Sequence, residues 1–359
     1  MPRPHEPLFP MTDGRWPIAS LPVLGTQNDT TYYASYAASV LNDTRMTGMA
    51  YWSVNPYTGC AFGCAYCYAR YAHRYVMERA VTAGTLPTAS AAAIADIPPW
   101  LAFERHIVVK RNAPDALARA LRRGGPRHLA LLKGEMILIG TATDPYQPAE
   151  RRYRVTRGIL EVLVTHPGLH IGIITKSPLI TRDADLLARI ARRSSLSVSV
   201  SLITLDRALA RRLEPRAPTP ESRLRAIARL RDAGVDVGIN IMPVLPGITD
   251  DPAMLDALVR AAAQAGAVRV GVCALRLQHE ARKRYLPFIA EEFPHLADRY
   301  EAAYARGPNV SERYRAGLSR FVHELGRKYG IRVGERAEDN EAEAFAPVAV
   351  ADPQLVLFG

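Results

Sequence analysis

Residues 55–70, NPYTGCAFGCAYCYAR, hold three of the four cysteines of a 359-residue chain, Cys60, Cys64 and Cys67, within eight positions. The fourth, Cys273, lies far along the chain. Three thiolates spaced C-x3-C-x2-C suit three irons of a [4Fe–4S] cluster and leave the fourth iron open to a non-protein ligand. Gly59 and Gly63 let the loop turn tightly and aim N–H groups at sulfide, where hydrogen bonds tune the potential. Two other readings share this spacing. One is a structural zinc with His73 as fourth ligand. The other is a plain electron-carrying cluster, which wants a fourth cysteine.

The chain around this loop reads as soluble and globular. Hydrophobic residues make up 48% and charged residues 23%, and no apolar run reaches the length of a membrane span. MPRPHEPLFPMTDGRWP at the N-terminus carries prolines and acids where a signal peptide needs an apolar stretch. The expected location is the cytoplasm, where thiols stay reduced and clustered cysteines serve as ligands. Net charge is +11, carried by arginine pairs such as Arg151-Arg152 and Arg211-Arg212. Such a balance fits a polyanion partner, and equally fits solvated helix faces.

Downstream of an irregular-looking polar stretch (1–50), β-rich runs alternate with helical patterns. The strands expected are MAYWSV (49–54), EMILIGT (135–141), LHIGIIT (169–175), LSVSVSLI (196–203), VDVGINIM (235–242) and VRVGVCAL (268–275). Amphipathic helices lie between them, clearest in TRDADLLARIARRS and in ESRLRAIARLRDAG, which Gly234 ends. Six strands each followed by a helix imply a parallel α/β sheet with right-handed crossovers. The organisation expected is an N-terminal extension (1–48), the α/β body (49–283), a helical region (284–335) and an acidic tail (336–359).

The loop resembles the signature of the radical S-adenosylmethionine superfamily, C-x3-C-x2-C with an aromatic residue, here Tyr66, before the last cysteine. The resemblance covers about residues 49–275 and implies a partial (β/α)6 TIM-type barrel with irregular N-terminal and helical C-terminal extensions. It also implies a [4Fe–4S] cluster and S-adenosylmethionine as cofactors. The open iron would bind the amino and carboxylate groups of S-adenosylmethionine, and reduction would yield a 5′-deoxyadenosyl radical that takes a substrate hydrogen. An electron donor such as flavodoxin or ferredoxin is implied with it.

Within that superfamily the chain looks like spore photoproduct lyase and its relatives, through TATDPYQPAE (141–150), ITKS (174–177), SVSLIT (199–204) and EPRAP followed by Arg223. Carried over, Tyr66 and Tyr68 flank S-adenosylmethionine. Thr143 stands where the lyase has a serine, before Asp144. Lys176 meets the methionine carboxylate, and Ser201 and Arg223 complete the cofactor contacts. These positions fall at C-terminal strand ends, where barrel enzymes build their sites. The lyase has a cysteine hydrogen donor where this chain has Thr141, and a hydroxyl O–H bond is too strong to take that role. Cys273 or a tyrosine is then the candidate for a catalytic donor. The segment DPYQPAERRYRVTR also departs from the lyase.

At the far end, QLVLF, with Gln354, Leu355, Leu357 and Phe358, follows an acidic linker and resembles the peptide by which bacterial repair proteins dock on the DNA sliding clamp. Loop, motifs, charge and tail together lead to an enzyme acting on DNA. A peptide, protein or RNA substrate, or a non-enzymatic metal module, is the alternative reading.

Overall fold

The structure, a computed structural model, describes residues 23–44, 49–70 and 98–334. The chain enters as a hairpin, β1 (Val23–Gln27) and β2 (Thr30–Ser35), followed by a short β3 (Leu41–Asn42). The expectation of an irregular start is corrected for this stretch. Asn28 takes φ +54° in the two-residue turn, a conformation asparagine tolerates. Thr30, Thr31, Tyr32 and Tyr33 are β-branched or aromatic and suit the strand that follows.

β4 (Trp52–Val54) and β5 (Tyr57–Thr58) lead into the cysteine loop. After α1 (Pro99–Arg105) comes β6 (His106–Lys110), which pairs parallel with β2 and antiparallel with β5. The result is a small sheet of order β1-β2-β6-β5 that the periodicity of the sequence does not announce. HIVVK follows α1 with no intervening turn residue, so the chain offers no punctuation there.

The expected strands build the main sheet. β4, β7 (Met136–Ile139), β8 (His170–Thr175), β9 (Ser195–Ser201), β10 (Val237–Val244) and β11 (Arg269–Ala274) lie side by side in chain order, every neighbour parallel. β3 adds antiparallel at one edge, and β12 (Arg332–Val333) parallel at the other. The order never reverses, which is the winding of a partial (β/α)6 barrel rather than of a doubly wound sheet.

Helices fill the crossovers: α2 (Ala113–Ala120), α3 (Pro126–Leu132), α4 (Pro148–Tyr153), α5 (Val155–Val164), α6 (Ala184–Ala191), α7 (Arg207–Leu213), α8 (Pro220–Asp232) and α9 (Pro252–Gln264). α8 starts where Thr219 accepts from Ser222 N with Pro220 in the first turn, and Gly234 turns the chain just past its end at φ +77°. α10 (His279–Glu292), α11 (Ala297–Ala303) and α12 (Glu312–Tyr329) follow before β12.

The two faces of the sheet differ in chemistry. One carries Ile137, Ile173, Val198, Ile239 and Val270, all buried in the main hydrophobic cluster. The other carries Ser197, Ser199, Ser201, Asn240, Gly271 and Cys273, alternating with them along the strands. A Cβ on Gly271 would stand 2.8 Å from the Met242 methyl and 3.0 Å from Asn240 Oδ1, so this polar inner face is closely furnished. Leu138 and Ile174 share this face, and the site of such a barrel lies above it, at the C-terminal strand ends.

Candidate metal centre

The cysteine loop leaves β5 and is clamped by backbone from several elements. Cys60 N donates to Phe103 O (2.9 Å), Ala65 N to Leu213 O (3.0 Å), and Arg216 N to Phe62 O (3.2 Å). Gly59 takes φ +83°, and a Cβ there would meet Phe103 O at 2.7 Å and His106 O at 2.9 Å. Only glycine fits that approach. Arg70, fully buried, donates to Cys64 O (2.8 Å) and pairs with Glu104 at 2.6 Å. Sequence and packing agree on one shaped loop.

Cys60 and Cys64 are buried and Cys67 is partly so, all with free thiols. Burial pushes the Cys60 thiol up to about 12, with Asp144 and Cys67 adding to the rise. Burial likewise raises Cys64 and Cys67, although Lys176 draws both the other way. Thiolates in this pocket therefore need a strong cationic partner, as iron would be. Among the described residues no group of three or more His, Cys, Asp or Glu converges on a single ion. The C-x3-C-x2-C spacing of the three thiols fits a cluster, one iron to each. His73, the fourth ligand of the zinc reading, lies outside the described residues, as does the QLVLF tail.

Beside the thiols sits a carboxylate that sequence reasoning passes over. Glu214, buried just past α7, accepts from the Tyr66 hydroxyl and from the Arg223 guanidinium, and Lys176 Nζ stands 3.8 Å from its Oε1. Burial alone would push the Glu214 carboxyl up, but Arg223 and Lys176 outweigh it and hold it below its ordinary value. Burial also works against the Lys176 charge, yet Cys64 and Glu214 keep that ammonium above its usual pKa. Lys176 Nζ further lies 5.7 Å over the Tyr66 ring, a cation–π contact. Glu214 opens the EPRAP stretch, but no periodicity shows that it meets a tyrosine 148 positions away.

The other positions singled out in the sequence sit around this group in two ways. Thr143 gives its hydroxyl to Gly59 O at 2.6 Å, and Gln147 Nε2 adds a bond to the same carbonyl at 3.0 Å. Asp144 accepts from Tyr146 N, Thr175 Oγ1 and Lys176 N at 2.7–2.9 Å. Arg223 spends its remaining donors on Ser201 O and Pro218 O, both at 2.9 Å. These three side chains face protein. Tyr68, 44% exposed, donates to Thr141 O, while the Thr141 hydroxyl lies at 3.1 Å from Asn55 Nδ2.

Ser201 ends β9 on the inner face, and Cys273 lies on that face of β11, half-buried rather than packed under the helices. Cys273 is close enough to Tyr304 to raise its phenol, a rise due first to burial and then to Tyr300 and Cys273. Tyr304 Oη donates to Leu275 O at 2.8 Å and its ring stacks on Tyr300 at 6.0 Å. The thiol therefore has aromatic company at the strand ends.

Comparison with known proteins bears on this site directly. A family model described as the radical SAM superfamily matches residues 54–258. Uncharacterized proteins of Mycobacterium tuberculosis and Mycobacterium bovis are 36% identical over 307 residues, 86% of this chain and 82% of theirs. An uncharacterized protein of Methanocaldococcus jannaschii is 28% identical over 214 residues, 60% of this chain and 68% of its own. Among solved structures, spore photoproduct lyase with bound dinucleoside spore photoproduct shares the fold with a TM-score of 0.57 at 14% identity, over 85% of this chain and 82% of that one.

Proposed function

Since the chain belongs to the radical SAM superfamily, we propose that it is a radical enzyme holding a [4Fe–4S] cluster and S-adenosylmethionine, with DNA as substrate. The carrying observation is the set of three buried thiols beside the Lys176–Glu214–Tyr66 group. When bound, the cluster and S-adenosylmethionine supply a hydrogen-abstracting carbon radical.

Each residue then has a part. Cys60, Cys64 and Cys67 ligate. Lys176, its ammonium only loosely tied to Glu214, receives the cofactor carboxylate, with Tyr66, Tyr68 and Ser201 lining the same site. Thr143, Asp144 and Arg223 hold that lining from behind: Thr143 through Gly59, Asp144 through Lys176 N, Arg223 through Glu214 and Ser201. Thr141 faces Asn55 and its O–H bond is strong, so Cys273 on the inner face is the residue that donates hydrogen to the substrate radical. Its exchangeable S–H also offers a label.

DNA is favoured by the basic chain, by a fold shared with spore photoproduct lyase, which is complexed with a dinucleoside spore photoproduct, and by QLVLF as a sliding-clamp peptide. An electron donor such as flavodoxin or ferredoxin would supply the electron. No described helix is long and apolar enough to cross a membrane.

Anaerobically reconstituted enzyme, incubated with damaged DNA in deuterated solvent, tests this reading. Deuterium in a product nucleoside, lost in Cys273→Ala, is the expected result. Turnover that responds to a peptide or RNA and ignores DNA would transfer the chemistry to another substrate. A fully loaded cluster that yields no 5′-deoxyadenosine would remove the chemistry itself.

A further inference from the structure

The corner between α4 and α5 joins the site to Arg154, which with Asn28 is one of two non-glycine residues of positive φ among the described residues. Gln147, the residue before α4, holds the cysteine loop through Gly59 O and Ala61 N (2.9 Å). Arg151 and Arg152 lie four and five positions on, about one turn or 6 Å along the helix axis. Both are exposed, as are Arg154 and Arg111. The Arg152 guanidinium lies 5.4 Å over the Tyr153 ring, whose edge meets Tyr32 at 5.7 Å. Arg111 acts on the Tyr153 phenol as well. Two guanidinium groups, of Arg152 and Arg111, thus act on one aromatic ring, and the exposed Arg151 and Arg154 lie within two positions of it in the chain.

None of the four forms an ion pair with a described residue, although carboxylates lie close by. Glu150 and Asp183 are fully buried and taken by Arg182 and Arg157, at 2.7 and 2.8 Å. The inner arginines of the corner are structural, and the outer ones are left to solvent. Arg154 sharpens the point. It takes φ +52° and ψ +31° between the two helices, and its side chain caps neither. Glycine or asparagine is the residue such a position favours. A strained conformation is kept here with a long cation on it, which directs attention to the cation.

We propose that Arg111, Arg151, Arg152 and Arg154 grip the phosphate backbone of the DNA strand whose target nucleotide enters at the C-terminal strand ends. Guanidinium forks bind phosphate bidentately and hold register without reading sequence. The proposal rests on DNA being the substrate, and its test separates the two.

Binding of a fluorescein-labelled 20-nucleotide DNA, single-stranded and duplex, is measured across salt concentrations for the reconstituted enzyme and four variants. Arg154→Gly is the decisive one, because glycine suits φ +52° and its melting temperature stays at or above that of wild type. Its affinity falls severalfold, and the slope of log K against log salt shrinks by about 0.7–0.9, one phosphate contact. Arg151→Ala does the same, and the double variant loses about twice as much slope. Arg192→Ala, exposed at the opposite ends of the strands, matches wild type. Unchanged affinity and slope in Arg154→Gly, with wild type binding DNA, overturns the grip and leaves the DNA reading standing. Wild type that ignores DNA at low salt overturns both, while cofactor cleavage still reports on the radical chemistry.

Discussion

Two buried glutamates, Glu150 and Glu214, each pair with an arginine and a tyrosine, yet they do different work. Glu150 is closed on every side: Oε2 accepts from Tyr57 Oη (2.5 Å) and Thr156 N (2.8 Å), and Oε1 from Arg182 (2.7 Å) and Arg157 N (3.2 Å). Glu214 meets Tyr66 and Arg223 closely but leaves Lys176 Nζ at 3.8 Å, beyond a good hydrogen bond. The closed shell locks α4 to α5 beneath the site. The open one keeps an ammonium charged, partly buried and short of acceptors beside the thiols. Completeness of the shell separates scaffold from site.

The largest effect that tests this contrast is on stability. Glu150→Ala leaves Arg182 and Tyr57 without their buried acceptor and is expected to cost about 3–5 kcal/mol, read by denaturant unfolding, with cofactor binding normal in whatever remains folded. Glu214→Gln keeps the shape and removes the charge. It should cost about 2 kcal/mol and lower the pKa of Lys176, which loses a carboxylate that holds it up. Lys176→Met should leave stability nearly unchanged while S-adenosylmethionine affinity drops about tenfold, or 1.4 kcal/mol. A Lys176→Met variant as unstable as Glu150→Ala would erase the distinction.

Lys110 supplies the case of a buried charge with no carboxylate partner among the described residues. It donates to Asn55 O at 3.0 Å, and burial lowers its pKa to about 8. A lysine depressed in the folded state is penalised while charged, so the penalty is fully present below pH 8 and is relieved as pH rises toward the unfolded value. Wild type should gain about 1 kcal/mol relative to Lys110→Met between pH 8 and pH 9. A flat difference across that window would mean that Lys110 is not buried as a cation.

Much of the barrel is legible in the sequence because buried parallel strands read as apolar runs closed by helices. All six main strands fall where those runs lie, and the α8 boundaries follow from Thr219, Pro220 and Gly234. The hairpin of β1 and β2 lies in the stretch read as irregular, and β6 escapes because its partner β2 is some seventy positions away and no turn residue marks its start. The thiols, Tyr66 and Lys176 are visible as motif positions. Glu214 is not, because its importance comes from three side chains brought together by the closing of the sheet, which no local pattern encodes.

The central claim is that Cys60, Cys64 and Cys67 carry a cluster with one iron left for S-adenosylmethionine. Electron paramagnetic resonance of the reduced, reconstituted protein, before and after adding S-adenosylmethionine, tests it most directly. The account predicts a [4Fe–4S] signal that changes on addition, 5′-deoxyadenosine formed in the same sample, and loss of the signal in Cys64→Ala. A fully assembled cluster whose signal ignores S-adenosylmethionine and forms no 5′-deoxyadenosine would contradict it.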